Sequence, residues 1–251
     1  MAKAKGMISM LAAWGVTNKG AVRQQNQDAF QLMITEDGLG AGVVCDGMGG
    51  ARAGNIASTM AVESFCRVLM REKDKWLSEP ETLLTLAAEE ANALVFSRAG
   101  ADSDCQGMGT TLVAALLLEG CAHILNIGDS RAYHITTGGI SRITRDHSVV
   151  EDLVYRGELT PEQARQHPQK NLITRALGAE EQLRADLYEI PVSKGEFLLL
   201  CSDGLSNTVT DQELLYEAVH GGVPESCCDR LLDIALSRGA PDNVTALLFQ
   251  I

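Results

Sequence analysis

An aspartate that ends a short apolar run and is followed by glycines can hold a charged ligand where few side chains intrude. In this chain of 251 residues the stretch GVVCDGMGG has that form: Val43, Val44 and Cys45 read as a buried strand, and Asp46 stands at its end before Gly47. The glycines let the backbone fold back and aim carbonyls or amides at whatever Asp46 binds, a metal ion or a phosphate. Taken alone, Asp-Gly is also an ordinary turn dipeptide. The arrangement recurs, however. Phe197 to Cys201 is an apolar run closed by Ser202-Asp203-Gly204, Asp129 sits between two apolar runs, and Asp242 stands just before the final run VTALLFQI. Four carboxylates beside strands of one core repel one another and lose water, at a cost on the order of several kcal/mol per charge. Hard divalent cations relieve that cost. An all-oxygen set without His or Cys points to magnesium or manganese rather than zinc, and a bridging carboxylate lets one residue serve two ions.

Strands and covering helices must position these groups. Ile8 to Val16 alternates as a strand, and Thr17 to Gly20 supplies a turn. Arg23, Asn26 and Asp28 follow at spacings that present polar groups to one place, and Phe30, Leu32 and Ile34 resume the alternation. Glu36-Asp37-Gly38 reads as a hairpin turn, so adjacent strands carry Asp28 and Asp46 and bring the two carboxylates close. Helical spacing of Ile56, Met60, Phe65, Val68 and Leu69 predicts an amphipathic helix. Ser78, Pro80 and Glu81 predict a capping-box start for a second one, and Arg71 to Lys75 reads as a solvated connection between them. TTLVAALLLEG and CAHILNIG pair as central strands, and Gly138-Gly139 turns the chain into Ile140 to Ile143. From Asp146 to Gly178 the pattern changes to short helices and loops of low apolar density, including a capping box at Thr160 and Gln163, which predicts a mobile flap. His147 and His167 lie in it, as site residues or as ordinary loop histidines. Thr210 to Glu213 caps a helix through His220, and Pro224 starts another to about Ser237.

Composition narrows the class. With 21 basic and 33 acidic residues the net charge is -12, which argues against a nucleic-acid surface and suits solubility or a cation site. Seven cysteines form no metal-type pairs, and Cys45, Cys121 and Cys201 sit inside apolar runs, as small core residues of a reducing compartment do. Cys227-Cys228 reads as helical packing. The apolar stretch of MAKAKGMISMLAAWG is too short for a membrane span and no later segment approaches that length. The expectation is one cytoplasmic domain over residues 1–251, without membrane insertion.

The motifs GAVRQQNQD, VVCDGMGG, GMGTTL, NIGDSRAY, TRDHS, NLITRALG, LLLCSDGL and APDNVT, in that order along nearly the whole chain, give it a specific likeness. The sequence resembles the bacterial metal-dependent serine/threonine protein phosphatases of type 2C, the PPM family. The resemblance implies an α/β sandwich, with two mostly antiparallel sheets packed face to face and flanked by helix pairs, and a flap at about 146–178. It implies hydrolysis of phosphoserine and phosphothreonine on proteins by a metal-activated water, reversing a bacterial serine/threonine kinase. The cofactors implied are two manganese or magnesium ions. Asp46 bridges them, the Gly47 carbonyl lies on one and Asp203 and Asp242 on the other, while Asp129 with Asp203 matches the place of a third, weaker metal. Arg23 grips the substrate phosphate and Asp28 supports a metal through its waters. Arg23, Asp46, Asp203 and Asp242 are thus the implied catalytic set, acting on phosphorylated proteins as a monomer.

Two positions depart from the family pattern. Met48 follows Asp46-Gly47 where eukaryotic relatives carry a histidine thought to act as general acid, and Gln27 stands where many members have glutamate. Met48 leaves the leaving-group acid to a metal-bound water or, as alternatives, to His147 or His167. Two rival readings are a phosphatase fold kept only for binding, and a phosphatase of small phosphoesters. The intact set of Asp46, Asp203, Asp242 and Arg23 weighs against the first.

Overall fold

The computed structural model describes residues 11–50 and 53–251. Strands β1 (Ala12–Asn18), β2 (Asp28–Ile34) and β3 (Gly40–Met48) lead into helices α1 (Ala53–Arg71) and α2 (Pro80–Ala101). A run of strands follows: β4 (Gly109–Thr110), β5 (Leu112–Leu118), β6 (Cys121–Ile127), β7 (Arg131–Thr136) and β8 (Gly139–Arg142). Two short helices, α3 (Val149–Tyr155) and α4 (Pro161–Gln166), precede β9 (Asp186–Pro191) and β10 (Phe197–Cys201). The chain closes with α5 (Asp203–Ser206), α6 (Asp211–Val219), α7 (Cys227–Ser237) and β11 (Val244–Gln250).

The strands form two sheets in which every pairing is antiparallel. One runs β1-β11-β10-β7-β8, and the other runs β2-β3-β5-β6-β9 with β4 on the end of β3. Period-two alternation divides each central strand between two buried layers. On β3, Val43 and Cys45 pack under α1 and α2, while Val44 faces the opposite sheet. On β10, Leu199 and Cys201 pack under α6 and α7, while Leu198 and Leu200 face inward. The result is a four-layer α-β-β-α sandwich with an apolar layer at each of its three interfaces.

The middle layer is tight because glycine faces an aromatic ring across it. A Cβ on Gly42 would stand 2.6 Å from Leu247 Cδ2 and 2.7 Å from Phe249 Cζ, both side chains of the other sheet. Only a residue without a side chain lets the sheets approach this closely.

Several expectations need adjustment. The first strand runs Ala12–Asn18 rather than Ile8–Val16, because the ladder to β11 continues through Thr17↔Thr245 and Asn18↔Val244 where a turn was expected. Residues 8–10 of that expectation lie outside the described residues. Ser78 is not a cap: Pro80 is the first helical residue, which makes Glu79 the cap, and its side chain makes no capping bond. The connection after α1 is more than solvated chain. It holds a single 3₁₀ turn and then Trp76, fully buried, whose Nε1 donates to the Leu69 carbonyl at 2.9 Å. The Thr160 and Thr210 capping boxes form as expected. Between 146 and 178 the chain is tied by bridges Ser148↔Ile173 and Thr110↔Leu177. Among the described residues no helix is long and apolar enough to cross a membrane.

The middle layer predicts its own sensitivity. Replacing fully buried Phe249 by alanine should lower unfolding stability by about 3–5 kcal/mol in urea titrations. A loss of under about 1 kcal/mol would show that the two sheets collapse onto the space.

Candidate active site

At one end of the sandwich the inward face changes from apolar to polar without a change of parity. On β3 the inward residues Gly42 and Val44 are followed by Asp46, and on β2 the inward Phe30 and Leu32 are preceded by Asp28. On β10 Leu198 and Leu200 are followed by Ser202, and on β11 Phe249 and Leu247 are preceded by Thr245 and Asn243. Polar groups from both sheets therefore meet at the same seam. Asp28 crosses it, its Oδ2 accepting from Ser202 Oγ and Thr245 Oγ1 at 2.7 Å each. Asp28 and Asp46 are direct cross-strand partners, like charges placed opposite one another.

Arg23, Asp46, Gly47, Asp129, Asp203 and Asp242 all line one cavity of about 520 Å³ above this seam. Asp28 does not line it but lies beneath, 6 % exposed. Each wall residue is held by its own element. Asp46 is fixed through its backbone, its N–H donating to Thr111 Oγ1 and its carbonyl accepting from Thr110 Oγ1, both at 2.9 Å. Gly47 must be glycine, since a Cβ there would lie 2.1 Å from the Gly54 carbonyl oxygen. Asp203 opens α5, and its Oδ2 accepts from Asn207 Nδ2 at 3.1 Å. Arg23 Nη2 donates to Asp242 Oδ2 at 2.7 Å. Asp129 stands in the turn between β6 and β7.

Asn243 is a residue that sequence reasoning missed. Its Oδ1 accepts from Gln27 N–H at 2.8 Å, and its Nδ2 donates to the carbonyls of Lys19 and Gln25 at 2.9 Å each. One buried side chain thus clamps both ends of the loop that carries Arg23. The signal was available in APDNVT, where Asn243 reads as a turn residue next to Asp242. Ser202 and Thr245 were missed for a similar reason, since small hydroxyl residues at strand ends look neutral in sequence.

The two histidines lie elsewhere. His147 is buried with Nδ1 accepting from the Gly128 N–H at 3.0 Å, and its Nε2 lies 3.1 Å from Asp186 Oδ2. Burial lowers its pKa, which fits a neutral acceptor. It positions the Gly128-Asp129 turn from a neighbouring cavity. His167 Nδ1 accepts from Gln169 N–H, and the residue is not part of the wall. Cys45 and Cys201 are fully buried, and burial pushes the Cys201 thiol up to about 12, which leaves no reactive thiolate.

The electrostatics of the seam are those of crowded acids. Burial, then the Asp203 and Asp242 charges, raise the Asp28 carboxyl to about 7 against the pull of its two hydroxyl donors. Burial and the Asp203 and Asp146 charges raise Asp129 to about 8. Asp46 is raised well above the usual range by burial and by Asp28, Asp203, Asp129 and Asp242 together, and Asp203 is raised by burial and Asp242. The Oδ1 atoms of Asp28 and Asp203 are buried without a hydrogen-bond partner. Unpartnered buried carboxylate oxygens next to like charges are what a hard divalent cation satisfies. The donor set fits such an ion.

A family model described as protein phosphatase 2C matches residues 19–230. The chain belongs to this family. Among relatives, it is 37 % identical to the serine/threonine phosphatase stp of Listeria monocytogenes over 93 % of each chain. Among solved structures, it is similar to the serine/threonine phosphatase Stp1 of Staphylococcus aureus, with a TM-score of 0.92 and 35 % identity over 100 % of this chain and 99 % of that one. It also resembles the catalytic domain of the serine/threonine phosphatase PstP in complex with two manganese ions, with a TM-score of 0.84 and 31 % identity over 96 % and 97 % of the two chains. Phosphatases of this family are metal-dependent, in agreement with the donor chemistry of the seam.

The raised carboxyls set a pH dependence. A carboxyl whose folded pKa lies above its unfolded value near 3.8 holds an extra proton when folded, so the cation-free protein loses stability as pH rises from about 4 through about 8. A cation replaces those protons, and its stabilisation grows over the same window. Manganese should therefore raise Tm more at pH 8 than at pH 6, by about 3 °C or more, the shift expected for about 1 kcal/mol in a chain of this size. Equal shifts at both pH values would contradict the protonated state of the seam.

Proposed function

We propose that this protein hydrolyses phosphoserine and phosphothreonine on proteins, with two manganese or magnesium ions as cofactors. The observation that supports this best is the convergence, from two different sheets, of Asp46, Asp203 and Asp242 on one cavity with a buried Asp203 oxygen left unpartnered. In this reading Asp46 would be shared by the two ions, the Gly47 carbonyl would serve one of them, and Asp203 and Asp242 would hold the other. Asp129 and Asp203, on the same wall, would hold a weaker third ion. Such ions would activate a water and offset charge on the transferring phosphoryl group.

The chain's own groups do the rest. Arg23 is half exposed at the cavity rim and offers a planar fork to phosphate oxygens. Its Nη2 is engaged by Asp242, which ties the guanidinium to the cavity wall and leaves its other N–H groups free to donate to phosphate oxygens. Asn243 keeps the Arg23 loop at fixed distance from Asp242. Asp28, tethered by Ser202 and Thr245, would support a metal through its waters. Met48 lines the cavity but carries no proton, and both flap histidines are turned to other partners, so solvent in the open cavity protonates the leaving oxygen. We place this activity in one cytoplasmic, monomeric catalytic domain whose residues 146–178 act as a flap, opposing a serine/threonine kinase. Asn171 and Ile173 of that segment reach the cavity wall, as a substrate-facing flap requires.

Phosphate release from phosphothreonine peptides should require added manganese, and Asp203→Ala should reduce turnover at least about a hundredfold. Metal-independent turnover, or an unimpaired variant, would overturn the mechanism. Asp129→Ala should keep the fold and the two core ions, counted by metal analysis, yet lose turnover. Full activity would show that the third position is dispensable.

A further inference from the structure

At the other end of β6 from Asp129, a second group of metal-binding side chains is gathered on the outer face of the sheet. Cys121 and His123 are two residues apart on β6 and point toward α2, on the same side as Leu125 and Ile127. His123 is the direct cross-strand partner of Glu189 on β9. The first turn of α2 brings Glu81 over them, its Oε1 3.9 Å from His123 Nδ1. One ligand atom from each of Glu81, His123 and Glu189 lies within 4.8 Å of the other two.

The imidazole is the second, independent sign. His123 is 8 % exposed, and its Nδ1 is buried without a hydrogen-bond partner. A buried ring nitrogen left unpaired in a folded protein calls for an explanation. The 3.9 Å to Glu81 is too long for a hydrogen bond, and Nε2 has only Cys121 Sγ, at 3.6 Å. Among the described residues neither glutamate is in an ion pair with Lys or Arg. The cluster therefore presents an unpaired ring nitrogen and two carboxylates without a Lys or Arg partner among the described residues.

We propose that Glu81, His123 and Glu189 bind a zinc ion that fastens the start of α2 to β6 and β9, with Cys121 beside it. Imidazole with carboxylates suits zinc, whereas the all-oxygen seam suits manganese or magnesium. The two sites suit different ions and are separate, since His123 lies four residues, or about 13 Å, along β6 from Ile127, where the strand ends before the Asp129 turn. Ligands about 2.1 Å from a tetrahedral zinc stand about 3.4 Å from one another. The ring is already fixed by burial, and the two exposed glutamates close the remaining distance by side-chain rotation. From its apolar run Cys121 is expected among the small buried core residues. It is instead only partly buried, beside His123, which is buried with its Nδ1 unpaired.

The test uses the full chain carrying Asp203→Ala, which weakens the seam as a competing metal site. Zinc bound per chain and its Kd are measured by equilibrium dialysis, with and without Glu189→Gln or His123→Gln. Both added substitutions should weaken zinc at least about tenfold, the scale on which single groups around a metal act. Zinc should also raise the Tm of the Asp203→Ala chain and lose that effect in the double variants. Because Glu81 and Glu189 are exposed, Glu81→Gln and Glu189→Gln give folded proteins even where His123→Gln does not. In the otherwise wild-type chain, these two glutamate variants should keep full manganese-dependent turnover. Unchanged zinc affinity in the glutamate variants would overturn the site whatever the outcome of the phosphatase assay.

Discussion

Like charges buried at the seam between two sheets are the constraint on which the rest of this structure depends. Asp28 and Asp46 face each other across a strand pair, and Asp203 and Asp242 press on them from the opposite sheet. Apolar burial cannot hold such groups together, because each carboxylate loses solvent and gains repulsion as the sheets close. Three devices make the arrangement tolerable. Burial raises the carboxyl pKa values so that protons are held further toward neutral pH, hydroxyls of Ser202 and Thr245 donate to Asp28, and Arg23 pairs with Asp242. All three are partial, since Asp28 and Asp203 each keep an oxygen unpaired. A divalent cation completes them.

The stiffness that holds the charges in place comes from the layers around them. Four of the strands that feed the seam, β2, β3, β10 and β11, are tied into ladders, and three are central in their sheets. Between the sheets, the close approach of Gly42 to Leu247 and Phe249 leaves no room for sliding. A one-residue slip of β3 would send Asp46 into the layer beneath α1 and Cys45 into the seam. Register, fixed by apolar packing far from the site, is thus what aims the carboxylates. The Asn243 clamp and the His147 bond to Gly128 do the same for the two loops that carry Arg23 and Asp129.

Much of this was legible in the residues, and the reasons for the exceptions are physical. The apolar run closed by Ser202-Asp203-Gly204 announces a strand end, whereas β3 does not stop at Asp46 but runs on to Met48, because Gly47 and Met48 pair with β4. The Glu36-Asp37-Gly38 turn correctly pairs Asp28 with Asp46, since a short hairpin leaves little choice of register. Asn243, Ser202 and Thr245 escaped because their work is done across elements distant in sequence, and a small polar residue at a strand end carries no mark of its partner. Ser78 misled because a capping residue and a proline one position off look alike until Pro80 fixes the helix start. His123 escaped most completely. Within CAHILNIG it is one polar residue in an apolar strand, and only the fold brings Glu81 and Glu189 to it from separate elements.

The contrast between the two clusters shows how one strand can serve two metal chemistries. At one end of β6 the surrounding donors are carboxylates in a seam that both sheets close, so the ion must be hard and the cavity keeps room for water and phosphate. At the other end the donors are an imidazole and two glutamates at the rim of a helix, where only one partner is buried. Burial decides the difference in role. An ion in the seam relieves repulsion among groups that the fold cannot move apart, whereas an ion in the proposed rim site would draw together groups that solvent otherwise keeps separate. The first removes a cost already present in the folded chain, and the second adds a link the fold can lack. Loss of the rim ion therefore leaves the catalytic register intact, because that register is set by the glycine-aromatic layer between the sheets and not by the position of α2.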